Sequence, residues 1–167
     1  SGDVLINEIL FNPRPGGVDF VEIVNVASKY LNLKNWSLAN SEEDQFINIL
    51  PIIESDYILS PHSYLVLTTS GTILKSQYST TQEENLLASV LPSLNDDEGA
   101  IASLSAQGEP LDFFEYVDDF HSPLLKDKEG VSLERISLSE PAIISDNWKS
   151  ASSTAGFATP GYLNSNA

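Results

Sequence analysis

The chain has 167 residues, 41% of them hydrophobic, no Cys, and a formal net charge of −16 from eight basic and 24 acidic residues. That length suits one domain able to bury its own core, and the missing Cys excludes disulfides, thiolate metal ligands and cysteine nucleophiles. An acidic surface of this kind repels phosphate backbones and anionic lipid, so no nucleic-acid partner and no membrane insertion is expected.

No stretch approaches the ~20 unbroken apolar residues of a membrane span. The absence of Cys does not decide the compartment, since a domain of this size folds without disulfides inside or outside a cell. The opening Ser1-Gly2 and the lack of Met read as a mature fragment, with any targeting peptide already gone.

Short strand-like runs separated by turn residues dominate the chain. Residues 4–10 form the first, and Asn12-Pro13-Arg14-Pro15-Gly16-Gly17 then breaks any regular element. Residues 19–26 follow, where Val21, Ile23, Val24 and Val26 favour a pleated, half-buried surface. Residues 36–39 and 45–50 pair around an acidic turn at 40–44. The stretch 63–69 alternates Tyr64, Val66 and Thr68 against Leu65, Leu67 and Thr69, which makes it a central strand with both faces covered. Residues 71–90 are less regular and hold one or two short helices. Strands resume at 99–104 and 109–116, joined by the turn Ser105-Ala106-Gln107-Gly108, and again at 131–136. The tail from 150 to 167, rich in Ser, Thr, Ala, Gly and Asn, reads as an extended strap or linker. With no repeat and no shift of composition, 1–167 reads as a single all-β domain, a sandwich or a barrel.

Several motifs stand in an order that resembles a known family. Ile6-Asn7-Glu8-Ile9, Asp19-Phe20-Val21-Glu22-Ile23 with Asn25, and Leu33-Lys34-Asn35-Trp36-Ser37-Leu38 are similar to the opening of bacterial lamin-tail domains. Tyr64-Leu65-Val66-Leu67, Leu94-Asn95 with Gly99 and Ile101, Leu111-Asp112 with Tyr116, Ser132-Leu133-Glu134-Arg135, Asn147-Trp148 and Ala158-Thr159-Pro160-Gly161 continue the pattern. The resemblance covers nearly the whole chain. It implies an immunoglobulin-like β-sandwich with one or two short helical insertions, used as a non-catalytic module of larger secreted or cell-surface proteins. It carries no catalytic motif. Pro61-His62-Ser63 departs from the glycine that relatives often place before the central strand, and 71–85 is longer than the simplest members require.

The chemistry-bearing residues have competing readings. Glu8 and Glu22 lie within apolar strands, where an unpaired charge costs several kcal/mol, roughly. Arg135 is the strand-borne cation expected to neutralise one of them. The alternative makes the two carboxylates an acid–base pair for glycoside hydrolysis, which depends on a separation no sequence gives. Asp96, Asp97 and Glu98 offer oxygen ligands for calcium, against an ordinary Asx-rich turn, and their spacing departs from an EF-hand loop. No other cofactor is expected. His62 and His121 read as surface or turn residues, too few for a zinc site. Trp36 and Trp148 read as core anchors rather than a sugar-stacking platform, leaving Phe113, Phe114, Tyr116 and Phe120 as the aromatic residues from which a binding patch would be drawn.

The expected function is structural or adhesive, through protein or glycan contacts on behalf of a multidomain extracellular or cell-surface protein. The alternative is a carbohydrate-binding accessory module of an extracellular hydrolase.

Overall fold

The computed structural model describes residues 2–167. In chain order its strands are β1 (Val4–Leu10), β2 (Phe20–Asn25), β3 (Leu31–Asn32), β4 (Ser37–Glu42), β5 (Gln45–Pro51), β6 (Ile58–Leu59) and β7 (Tyr64–Thr68). A helix α1 (Gly71–Gln77) follows, then β8 (Leu86–Ala88), β9 (Glu98–Leu104), β10 (Pro110–Val117), β11 (Leu133–Arg135) and β12 (Trp148–Ser150). Two sheets stack. One is six-stranded in the order β12-β11-β1-β2-β7-β8, the other four-stranded in the order β10-β9-β4-β5, and β3 with β6 forms a small separate ladder.

Local chemistry explains the boundaries. The β4–β5 hairpin closes through Glu43 and Asp44, both at positive φ (49° and 60°), the backbone twist that a two-residue hairpin turn needs. Helix α1 starts at Ser70, whose side chain accepts a hydrogen bond from the Ile73 N–H. It is the one α-helix among the described residues, where one or two were expected; the rest of 71–90 supplies a 3₁₀ turn and the strand β8.

The main core lies between the sheets. Ile6, Ile9, Ile23, Leu65 and Leu133 from one sheet meet Leu38, Ile101, Phe114 and Tyr116 from the other. Trp148 stacks on Phe114 at 3.7 Å between ring centroids, and Phe11 on Tyr116 at 4.3 Å. A second cluster sits on the outer face of the six-stranded sheet, where Leu10, Phe20 and Val66 are covered by Leu74 and Tyr78 from the helix side and by Ala158 from the tail. With cover on both sides, every residue of β1 and β2 is buried. No described helix is long and apolar enough to cross a membrane.

Asn25 ties this frame to its loops. Fully buried at the end of β2, its amide donates to the carbonyls of Lys29, Leu59 and Ser60, and its Oδ1 accepts from the Ala27 N–H. Asn25→Ala leaves those groups unpaired and is expected to cost about 1–3 kcal/mol in chemical denaturation; a loss below about 0.5 kcal/mol would show that water replaces the side chain without penalty.

Candidate functional site

The most unusual chemistry in the molecule is a row of three glutamates across β11, β1 and β2. Glu8 stands opposite Glu134 on one side and Glu22 on the other, and all three are fully buried. A β-bulge sets this arrangement. The β1–β2 register slips between Ile6 and Glu8, so Asn7 and Glu8 both turn to the outer face while Ile6 and Ile9 stay in the main core.

The chain between Phe157 and Asn166 roofs the row and supplies most of its donors. Glu8 Oε1 accepts from Ser132 Oγ (2.5 Å) and the Thr159 N–H (2.8 Å). Glu22 accepts from Asn7 Nδ2 (2.6 Å) and the Gly161 N–H (2.7 Å). Glu134 accepts from Thr159 Oγ1 and the Ser165 N–H at one oxygen. At its other oxygen it accepts from Ser165 Oγ, the Asn166 N–H and Asn166 Nδ2. Asn164 completes the roof with bonds from its amide to the carbonyls of Asn7 and Arg135. None of the ion pairs among the described residues involves these glutamates.

Donor counting places a proton in the row. Thr159 Oγ1 lies 2.7 Å from Glu134 Oε1 and 3.1 Å from Glu8 Oε2, yet a hydroxyl has one hydrogen to give. Both contacts are hydrogen bonds only if one of the two carboxyl groups donates to Thr159. Glu134 Oε1 already accepts the Ser165 N–H, whereas Glu8 Oε2 has no other donor among the described residues. The proton is therefore assigned to Glu8, which donates to Thr159, and Thr159 donates onward to Glu134. Burial, and then the neighbouring Glu134, push the Glu8 carboxyl up to about 8. Burial, followed by Glu8, raises Glu22 well above the usual carboxylate range. Neutralisation in place is what an uncompensated buried acid does.

The expected pairing of Arg135 with Glu8 or Glu22 is therefore corrected. Arg135 Nη1 lies 2.7 Å from Asp112 Oδ2 in a buried ion pair that joins the two sheets. Its guanidinium also donates to the Ile6 and Glu140 carbonyls, and Asp112 accepts the Ile6 N–H. The reason is strand alternation. Glu134 faces outward with Glu8, so its neighbour Arg135 must face the core. That parity was available in Leu133-Glu134-Arg135, and it also marked Glu134 as the missing third carboxylate.

The other candidates fall as follows. Trp148 is buried in the core, with its indole N–H donating to the Ala142 carbonyl; Trp36 is half-buried against the same core. Asp96 and Asp97, in the turn before β9, and Glu98, the first residue of β9, are exposed, and no group of three or more metal-ligating side chains occurs among the described residues. His62 is exposed at a left-handed turn position, φ 57°. His121, expected at the surface or in a turn, does follow a 3₁₀ turn but is buried against Phe11, with Nδ1 2.8 Å from Ser150 Oγ. Burial holds its ring down to about 4. Of the four aromatic residues, Phe114 and Tyr116 are core, while Phe113 and Phe120 are half-buried. The tail does not run free after 150: Ala151, Ala158, Thr159 and Asn164 are buried.

The three carboxyl groups of the row lie fully buried beneath the tail. Glycoside hydrolysis places the sugar between two carboxyl groups, and here that space holds Thr159, Gly161 and neighbouring strands. The row is a device for holding the chain to itself. No curated protein matches the sequence. The family model described as Lamin Tail Domain matches residues 1–118, taking in β1 through β10. With an immunoglobulin-like sandwich of two stacked sheets, and a family match over more than half its length, this chain belongs to the lamin tail domain family, whose members are in general non-catalytic modules.

Proposed function

We propose that this domain is a rigid, non-catalytic contact module of a larger extracellular or cell-surface protein, and that it binds protein partners through the outer face of its four-stranded sheet. The observation behind this is the asymmetry between the two sheets. The outer face of the six-stranded sheet is covered by α1 and the tail. On the four-stranded sheet, Ala39, Ala102 and Leu104 are buried beneath half-buried Phe46 and Phe113, a cluster drawn only from that sheet's own strands, so the two aromatic rings are the apolar surface this face presents. An apolar sheet face rimmed by polar groups is the usual chemistry of a protein contact. The carbohydrate-binding alternative has less support, because both Trp side chains pack against the core.

A photo-crosslinking amino acid at position 113, in the native protein on intact cells, tests this reading. Crosslinks to protein at 113 and not at exposed Glu84, on cells whose surface protease treatment removes the domain, are the expected result. Equal crosslinking at both positions would overturn the contact face. Resistance to surface protease until lysis would overturn the extracellular placement.

A further inference from the structure

The glutamate row does more than fill space under the tail, because its hydrogen bonds have a direction that depends on where its protons sit. These carboxyl groups hold the roof from Phe157 to Asn166 through the N–H groups of Thr159, Gly161, Ser165 and Asn166 and the side chains of Thr159, Ser165 and Asn166. They act alongside bonds that do not use the row, such as those from Thr80 Oγ1 to the Ala158 carbonyl, the Gln82 N–H to the Pro160 carbonyl and Asn85 Nδ2 to the Gly161 carbonyl. Other charged and titratable groups lie around it. Tyr64 on β7 faces Glu22, and Tyr78, with Arg14 over its ring at 4.5 Å, faces Glu8. Lys149 on β12 stands across from Glu134 but is exposed and makes no ion pair among the described residues. The roof itself contributes only uncharged donors. Ionising the whole row would set adjacent negative charges side by side in a dry site with no cation to compensate them.

We propose that the Glu8–Thr159–Glu134 hydrogen-bond chain is a proton-operated latch: with its proton the tail is clamped to the six-stranded sheet, and loss of the proton releases the tail while both sheets stay folded. Release takes away Thr159, Gly161, Ser165 and Asn166 together, admits water to the three carboxylates, and uncovers the outer face of β1 and β11. The device is local because the main core between the sheets makes no use of the row.

The geometry predicts opposite behaviour for two conservative substitutions. In Glu8→Gln the amide reproduces the protonated acid: its oxygen accepts from Ser132 and Thr159 N–H, and its NH₂ donates to Thr159 Oγ1. In Glu134→Gln an NH₂ must face donors at whichever oxygen it replaces, since both already accept.

Residue-resolved amide hydrogen exchange, corrected for intrinsic base catalysis and run from about pH 6 to about pH 9.5, reads this directly. In the wild-type protein the amides of Thr159, Gly161, Ser165 and Asn166 should lose protection relative to those of β7 and β9, about tenfold per pH unit beyond the midpoint for a one-proton release. Glu8→Gln should keep the tail protected across the range. Glu134→Gln should lose tail protection already at the acid end with its sheets intact. Parallel loss of tail and sheet protection in the wild type, or a Glu8→Gln tail that opens as the wild type does, would overturn the latch. Should Glu8→Gln fail to fold, the Glu8 carboxyl carbon resonance of the wild-type protein decides: a titration midpoint in the ordinary carboxylate range overturns the proposal, and one near neutrality or above supports it.

Discussion

Asp112→Ala should destabilise the domain by about 3–5 kcal/mol, because it strips the partner from a guanidinium that stays buried. Arg135 is 3% exposed, and Asp112 holds both its Nη1 and the Ile6 N–H. The pair also joins β10 of one sheet to β11 of the other, so the loss falls on the contact between layers. Chemical denaturation of the single variants and of Asp112→Leu/Arg135→Met separates the terms. The double variant should recover most of the loss, since replacing both charges by apolar groups removes the desolvation cost along with the attraction. Cycles pairing Arg135 with Glu8 or Glu22 should show coupling under about 0.5 kcal/mol, as for independent sites. An Asp112→Ala protein within about 1 kcal/mol of wild type would mean that the ion pair is not formed in solution.

Stability should fall as pH rises from about 5 to about 9, opposite to the pattern of a domain held by ionised carboxylates. The folded Glu8 carboxyl is raised from 4.5 to about 8. Its contribution is therefore complete below about pH 4.5 and is lost as pH climbs through 8, on the order of 5 kcal/mol for that one group. Glu22 acts in the same direction, as does Asp19, pushed up to about 7 by burial and by Asp96. His121 opposes them. Its folded value is lowered from 6.5 to about 4, so its contribution is present above 6.5 and is lost on acidification. Between about pH 4.5 and 6.5 Glu8 and His121 offset one another, while Glu22 and Asp19 tip the balance toward decline. The thermal midpoint should be highest near pH 5 and fall by about 10–20 °C by pH 9, at roughly 2–4 °C per kcal/mol for a domain of this size. A midpoint that rises from pH 5 to pH 8 would mean the row is ionised and compensated in the folded state.

Much of the strand framework was legible in one dimension, for reasons local to each segment. Val4–Leu10 was bounded correctly because an apolar-rich run, interrupted only by Asn7 and Glu8 and stopped by Asn12-Pro13, admits little else. The alternation in 63–69 and the Gly108 turn after 99–104 placed β7, β9 and β10 to within a residue or so. Less regular segments were harder. β8 lies in 86–88 as a parallel partner of β7, a pairing set by a neighbour distant in sequence. The tail read as an extended strap or linker from its composition; its burial depends on donors matched to acceptors on strands far earlier in the chain, as in Thr159 with Glu8 and Gly161 with Glu22.

The sequence by itself determined the class of the molecule: an all-β domain, an apolar periodicity that buries both faces of the central strands, and two glutamates in places where charge is costly. Only the tertiary structure decided how those glutamates are accommodated. The alternation of side chains is local, but the registers that align Glu134, Glu8 and Glu22, and the bulge that turns Asn7 and Glu8 the same way, are properties of paired strands. The proton in the row follows from that alignment, because it takes two carboxyl groups and one shared hydroxyl, brought together from three separate segments, to leave one oxygen that must donate.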